Sequence, residues 1–124
     1  MRSIPISIQR GLMPLLFAAA AAPRPALADG AQRPDLDSPA TIAAGAKRFN
    51  QNCVYCHGNA GSGGKGAALQ GRHDLTPEYL FQTISNGKTR GSLLMPAWKE
   101  AFSEQEIWEL GSYILSLRDV GTKK

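Results

Sequence analysis

The sequence predicts an all-α domain built on three main helices. Two observations carry this. Three separate stretches repeat apolar residues at helical spacing, and each opens on a recognisable helix start. Between them, no stretch shows the two-residue alternation of a half-buried strand. A third observation, the pentapeptide Cys53-Val54-Tyr55-Cys56-His57, indicates what the helices are arranged around.

In chain order, residues 1–28 read as a cleaved signal peptide. Arg2 and Arg10 make a positive start, residues 12–22 are apolar, and Ala26-Leu27-Ala28 fits a small-residue cleavage site. That apolar run is shorter than the roughly 20 residues a membrane span needs, so no stable membrane insertion is expected after cleavage. An uncleaved anchor is the alternative. Residues 29–37 are polar and proline-marked, an extended lead-in to one domain over residues 38–124.

Ser38 as N-cap and Pro39 at the first helical position open a helix that runs to about Asn52. Ile42, Gly45, Ala46 and Phe49 share its inner face. A mid-helix glycine costs about 1 kcal/mol against alanine, and a close helix crossing is the expected use of Gly45. From residue 58 to 75 there is little regular pattern. Gly61-Ser62-Gly63-Gly64-Lys65-Gly66 matches a dinucleotide fingerprint in letters, but it lacks the preceding strand and following helix. A Walker loop fails too, with Asn59 and Gly66 at two of its required positions. A long loop in a small domain is expected to be functional, here by wrapping a cofactor edge.

Thr76-Pro77-Glu78 starts the second helix, with Tyr79, Leu80, Phe81 and Ile84 as its apolar side and Asn86-Gly87 as its end. Lys88-Thr89-Arg90-Gly91-Ser92 reads as a polar turn before Leu93-Leu94-Met95-Pro96-Ala97-Trp98. Ser103 and Glu106 form a capping box for the last helix, which is expected to reach about Arg118. Its inner stripe is Ile107, Leu110, Gly111, Ile114 and Leu117, widened by Trp108 and Leu115. Arg118, Lys123 and Lys124 fall near its negative end.

C-x-x-C-H is an attachment pattern for c-type haem. On a helical turn, Cys53 and Cys56 are three apart and face one way, so two thiols can add to the two vinyl groups of one haem edge. His57, at i+4 from Cys53, then reaches the iron. Competing readings lack support. Zinc wants about four ligands, and beyond these three only His73 remains. A thioredoxin-like site wants a βαβ setting. A plain disulfide leaves His57 unexplained. In Gram-negative bacteria haem is attached to this motif outside the cytoplasm, so leader and motif support each other and place the protein in the periplasm.

The formal net charge of +4 comes largely from the leader: without residues 1–28, 14 basic residues fall to 11 against the same 10 acids. Nucleic acid is therefore not an expected partner. The shortened chain is small for a self-sufficient core, and a buried haem would complete it.

For the second axial position, Met95 is the candidate, being the last of three methionines and the one outside the leader. His73 is the alternative, placed by Arg72 and Asp74 in a solvated loop. Histidine–methionine ligation raises the reduction potential and suits electron transfer.

Gly45 and Phe49, the pentapeptide at 53–57, Gly66-x-x-Leu69-x-Gly71, Met95-Pro96-x-Trp98 and Tyr113 together resemble the small bacterial class I c-type cytochromes, with one histidine- and methionine-ligated haem, over residues 38–117. The resemblance implies three main helices wrapped around one covalently attached haem, the first and last crossing at right angles. It implies that Gly45 permits that crossing and that Phe49 packs near Tyr113. It also implies that Trp98 offers its ring N–H to a haem propionate, packing alone being the other reading. In one departure, Ala67 stands where the family commonly has proline; the carbonyl expected to receive the His57 N–H is retained.

The function expected is a monomeric periplasmic one-electron carrier, not an enzyme. A periplasmic dehydrogenase is the expected donor, and a terminal oxidase or other cytochrome the expected acceptor. Lys65, Arg72, Lys88, Arg90 and Lys99 are expected around the haem. Glu100, Glu104, Glu106 and Glu109 gather at the start of the last helix, a dipole able to steer an acidic partner. The alternative is a haem subunit or dedicated acceptor of a quinoprotein-type dehydrogenase. A gas sensor or peroxidase would need an open iron.

Overall fold

The computed structural model describes residues 32–121. The leader expected over residues 1–28, and Lys123 and Lys124, lie outside them. Pro39 opens helix α1 (Pro39–Asn52), where its missing N–H would have had no helical partner. Ser38 holds the cap position in an extended conformation, but its side chain makes no cap hydrogen bond, contrary to expectation. Its carbonyl accepts the first helical bond, from Ile42 at 3.0 Å. One residue after α1 the chain enters the short α2 (Val54–His57), then a 3₁₀ turn at Asn59–Gly61.

Helix α3 (Pro77–Asn86) is capped by Thr76, whose hydroxyl accepts from the Tyr79 N–H at 3.2 Å. Helix α4 (Glu104–Ser116) opens on the expected capping box of Ser103 and Glu106 and stops two residues before Arg118. The fold is helical, as predicted, with one correction. Strands β1 (Lys88–Arg90) and β2 (Leu93–Met95) pair antiparallel, Arg90 opposite Leu93 and Lys88 opposite Met95. The cause is the two-residue turn Gly91-Ser92. Gly91 takes φ +60°, a conformation that suits the first position of a tight hairpin turn.

The core lies where α1, α3 and α4 meet: Phe49, Leu80, Ile84, Ile107, Leu110 and Ile114 are buried there. Helices α1 and α4 touch through backbone. A Cβ on Gly45 would lie 1.9 Å from the Glu109 carbonyl oxygen and 2.9 Å from Tyr113 Cβ. Only glycine permits this approach, which accounts for its place in mid-helix. Phe49 packs on Tyr113, ring centroids 5.2 Å apart, as expected. Tyr79, expected on the apolar side of α3, is instead 44% exposed. Its phenol needs a polar partner, and it accepts from Lys88 Nζ at 2.8 Å.

Two sets of contacts tie down what the sequence left open. The lead-in is seated on the helices: Arg33 pairs with Glu78 and lies over the Trp108 ring, while Ser112 Oγ donates to the Leu36 carbonyl. Arg48 on α1 donates to Glu106 at 2.7 Å and to Glu109 at 2.6 Å on α4. These partly buried pairs hold two of the acids expected to form an exposed negative pole.

Gly45→Ala forces the helices apart and is expected to lower stability by about 3 kcal/mol, as overpacking of a tight contact does; denaturant unfolding measures it. A wild-type midpoint would refute the crossing. The Glu106 carboxyl is held below its ordinary 4.5, first by the Ser103 backbone N–H and then by the charge of Arg48. A carboxyl depressed by folding contributes stability that is present above its unfolded value and lost as pH falls through its folded one. Urea midpoints should therefore fall as pH drops below about 4.5, and Glu106→Gln should flatten that acid limb.

Candidate functional site

A cleft of about 770 Å³ opens between α1, α2, α3, the hairpin and α4. Its floor is the core itself, with Phe49, Leu80, Ile84, Leu110 and Ile114 all facing into it. On its walls the structure brings together Cys53, Cys56, His57, Met95 and Trp98. His73 stands elsewhere, 63% exposed and 4.0 Å from Asp119.

The α2 wall is built by continuing the α1 hydrogen-bond ladder. Cys53 N–H donates to the Phe49 carbonyl at 2.8 Å, and His57 N–H donates to the Cys53 carbonyl at 2.9 Å. Both thiols are free. Burial, with Cys56 adding, pushes the Cys53 thiol up to about 11. It is therefore neutral at ordinary pH, opposite to the depressed thiolate that a redox C-x-x-C relies on.

His57 Nδ1 lies 2.8 Å from the Ala67 carbonyl oxygen. That oxygen can only accept, so Nδ1 carries a proton, which in the neutral ring leaves the lone pair on Nε2. Alanine thus supplies the carbonyl expected at this position. The loop before it is bonded to α2: Gly66 N–H donates to the Cys56 carbonyl at 2.8 Å and Gly63 N–H to the His57 carbonyl at 2.6 Å. Gly66 passes under the imidazole, where a Cβ would meet Cε1 at 2.9 Å and Nδ1 at 3.1 Å.

Met95 ends β2 and is half-buried. Its backbone runs close to the end of α3, where a Cβ on Gly87 would meet the Met95 carbonyl oxygen at 2.5 Å. Trp98 N–H donates to the Ile84 carbonyl at 3.0 Å, closing the segment onto α3. The Trp98 ring is stacked on Phe102, centroids 5.1 Å apart and planes 9° apart.

Lys65, Arg72, Lys88 and Arg90 line the cleft, as expected. Lys99 does not: its Nζ is 3.5 Å from Asn86 Oδ1, beside a smaller cleft that includes Glu104. Arg72 pairs with Asp74 and holds that carboxyl down at about 2. Tyr79, expected on the apolar side of α3, faces the cleft beside Leu80 and Ile84, and so does Thr83, which the sequence reading does not single out. Their i, i+4 spacing beside Leu80 and Ile84 was the available signal. Hydrogen bonds from Lys88 and with Thr83 hold the Tyr79 phenol below its ordinary value.

Taken as donors and walls, these residues fit a c-type haem: paired thiols, an imidazole with Nε2 available, a thioether sulfur, an apolar floor and a cationic margin. Comparison with known proteins agrees. Residues 40–114 match the family model described as cytochrome c oxidase, cbb3-type, subunit III. The chain is 33% identical over 88 residues to cytochrome c6 of Leptolyngbya boryana, covering 66% of this chain and 99% of that one. It is 31% identical over 87 residues to the cbb3-type cytochrome c oxidase subunit FixP of Sinorhizobium medicae, covering 61% of this chain and only 30% of that subunit. Among solved structures, cytochrome cL of Methylophaga aminisulfidivorans superposes with a TM-score of 0.56 at 26% identity, over 65% of this chain and 55% of that one. Among the described residues, no helix is long and apolar enough to cross a membrane.

Gly66→Ala is expected to push the imidazole off the Ala67 carbonyl. The nitrogen-15 resonance of His57 Nδ1 should lose its hydrogen-bonded shift, and an unchanged resonance would contradict the cradle.

Proposed function

The chain belongs to the class I c-type cytochrome family, and we propose that it is an exported one-electron carrier in which Cys53, Cys56, His57 and Met95 hold the haem. The family carries haem c, covalently bound. One observation supports the reading above others: two thiols, one imidazole and one thioether from separate segments line the same apolar cleft. Haem c supplies a ferric/ferrous couple there, and histidine–methionine ligation sets that couple high.

The remaining work falls to the protein. Cys53 and Cys56 would hold one ring edge through thioether bonds. His57 would ligate through Nε2, oriented by the Ala67 carbonyl, and Met95 would ligate through its sulfur. Phe49, Leu80, Ile84, Leu110 and Ile114 exclude water from the floor. Trp98 closes the cleft by packing on Phe102, and its ring N–H is the proposed partner for a propionate.

The proposed setting is the periplasm, on the strength of the leader reading. A cationic margin of Lys65, Lys88 and Arg90 favours partners with an acidic face. Relatives within cbb3-type oxidase subunits support an oxidase or its cytochrome as acceptor. The narrower alternative is a haem subunit or dedicated acceptor of a periplasmic, quinoprotein-type dehydrogenase.

The test is the optical spectrum of the dithionite-reduced protein, recovered from the periplasm, before and after carbon monoxide. A c-type spectrum unmoved by carbon monoxide is expected, and Met95→Ala should make it shift. A wild-type protein that binds carbon monoxide would replace the carrier with ligand sensing or catalysis.

A further inference from the structure

Arg48 sits on α1 beside the helix crossing and touches three groups. Its guanidinium donates to Glu106 Oε1 at 2.7 Å and to Glu109 Oε2 at 2.6 Å, and its Cζ lies 5.6 Å from the centre of the Phe102 ring. Phe102 in turn is stacked on Trp98. These two rings belong to one turn, in which the Phe102 N–H donates to the Trp98 carbonyl at 2.9 Å. Trp98 lines the cleft three residues after Met95, with Pro96 between them.

We infer that Arg48 is a positioning residue for Met95, acting through the Phe102–Trp98 stack. The inference rests on Met95 being the sixth ligand. Glu106 and Glu109 are one turn apart on α4, so their carboxylates repel unless a cation lies between them. Arg48 is that cation. Without it the start of α4 loses its ion pairs to α1 and keeps the backbone contact at Gly45, and Ser103, which caps that turn, directly follows Phe102. The face of Phe102 that the guanidinium covers is opened at the same time. Trp98 then loses the flat surface it is stacked on, and the Met95 segment keeps its backbone ties, to Lys88 across the hairpin and to Ile84 on α3. A thioether is a neutral ligand on a flexible stem, so the segment that carries it must be held by the protein.

The test is binding of imidazole to the oxidised holoprotein, followed by its optical spectrum, since imidazole must displace Met95 to bind. Arg48→Gln is expected to bind imidazole about tenfold more tightly than wild type, within the range by which a remote residue modulates a site. Arg48→Lys, which restores the charge, should recover part of the difference. Phe102→Leu should match Arg48→Gln, and the double variant should exceed neither, because both act on one stack. Ser112→Ala serves as the stability control. It removes the hydrogen bond to the Leu36 carbonyl and leaves the stack intact, so it should lower the melting temperature without changing imidazole affinity.

If Arg48→Gln melts earlier but binds imidazole as wild type does, Arg48 is structural only and the inference falls while Met95 stands. If wild type and Met95→Ala bind imidazole alike, the Met95 reading falls and takes this inference with it. Should Arg48→Gln fail to accumulate, Phe102→Leu and Arg48→Lys decide on the same readout.

Discussion

The backbone contact between α1 and α4 at Gly45 governs the rest of the molecule. A gap of 1.9 Å between a hypothetical Cβ and the Glu109 carbonyl leaves no latitude in how the two helices meet. That register passes directly to the cleft. Phe49, one turn beyond Gly45, is wedged between Tyr113 on α4 and the His57 ring, whose centroid is 6.5 Å away. Cys53 then continues the same hydrogen-bond ladder from the Phe49 carbonyl. Locking one glycine against α4 therefore places both thiols and the imidazole, with no loop between crossing and site to absorb an error.

The other wall is held differently. Met95 lies on a three-residue strand, and its segment is tied to α3 by the Gly87 approach and the Trp98–Ile84 backbone bond. Such local ties are weaker than a helix crossing, and opening energies within one fold vary widely with local packing. The cleft thus joins a stiff wall that carries the covalent anchors to a lighter one that carries the thioether. The floor shared by core and cleft follows from size. A domain this small buries too little surface for a separate core, so the apolar residues that join the helices also face the cofactor space.

What was legible in the sequence was what is local. Pro39, Thr76 and the Ser103–Glu106 box mark helix starts within four residues, and the structure has helices there. Periodicity identified the α4 stripe, and Ile107, Leu110, Gly111, Ile114 and Leu117 are all buried. The cleft-facing side of α3 was harder to read. Tyr79 is apolar by area but carries a hydroxyl, and its partner Lys88 lies nine positions away. The hairpin had a signal in Gly91-Ser92, hidden because each strand is only three residues long. The Arg48 pairs span 58 and 61 positions and the Ser112–Leu36 bond spans 76, distances over which no local pattern speaks.

These long-range pairs also change the electrostatic picture. A negative pole at the start of α4 was expected from four glutamates, yet two of them are engaged by Arg48. Arg48 therefore offsets part of that pole, and the dipole is weaker than the sequence suggests. At the cleft the balance runs the other way. Arg72 is matched by Asp74, but Lys65 and Lys88 rest on the phenols of Tyr55 and Tyr79 rather than on carboxylates. A phenol orients an ammonium without cancelling its charge. The positive margin survives close to the cleft, where its field acts within a Debye length of an approaching surface. Orientation of a partner then depends on these nearby lysines more than on a whole-molecule dipole.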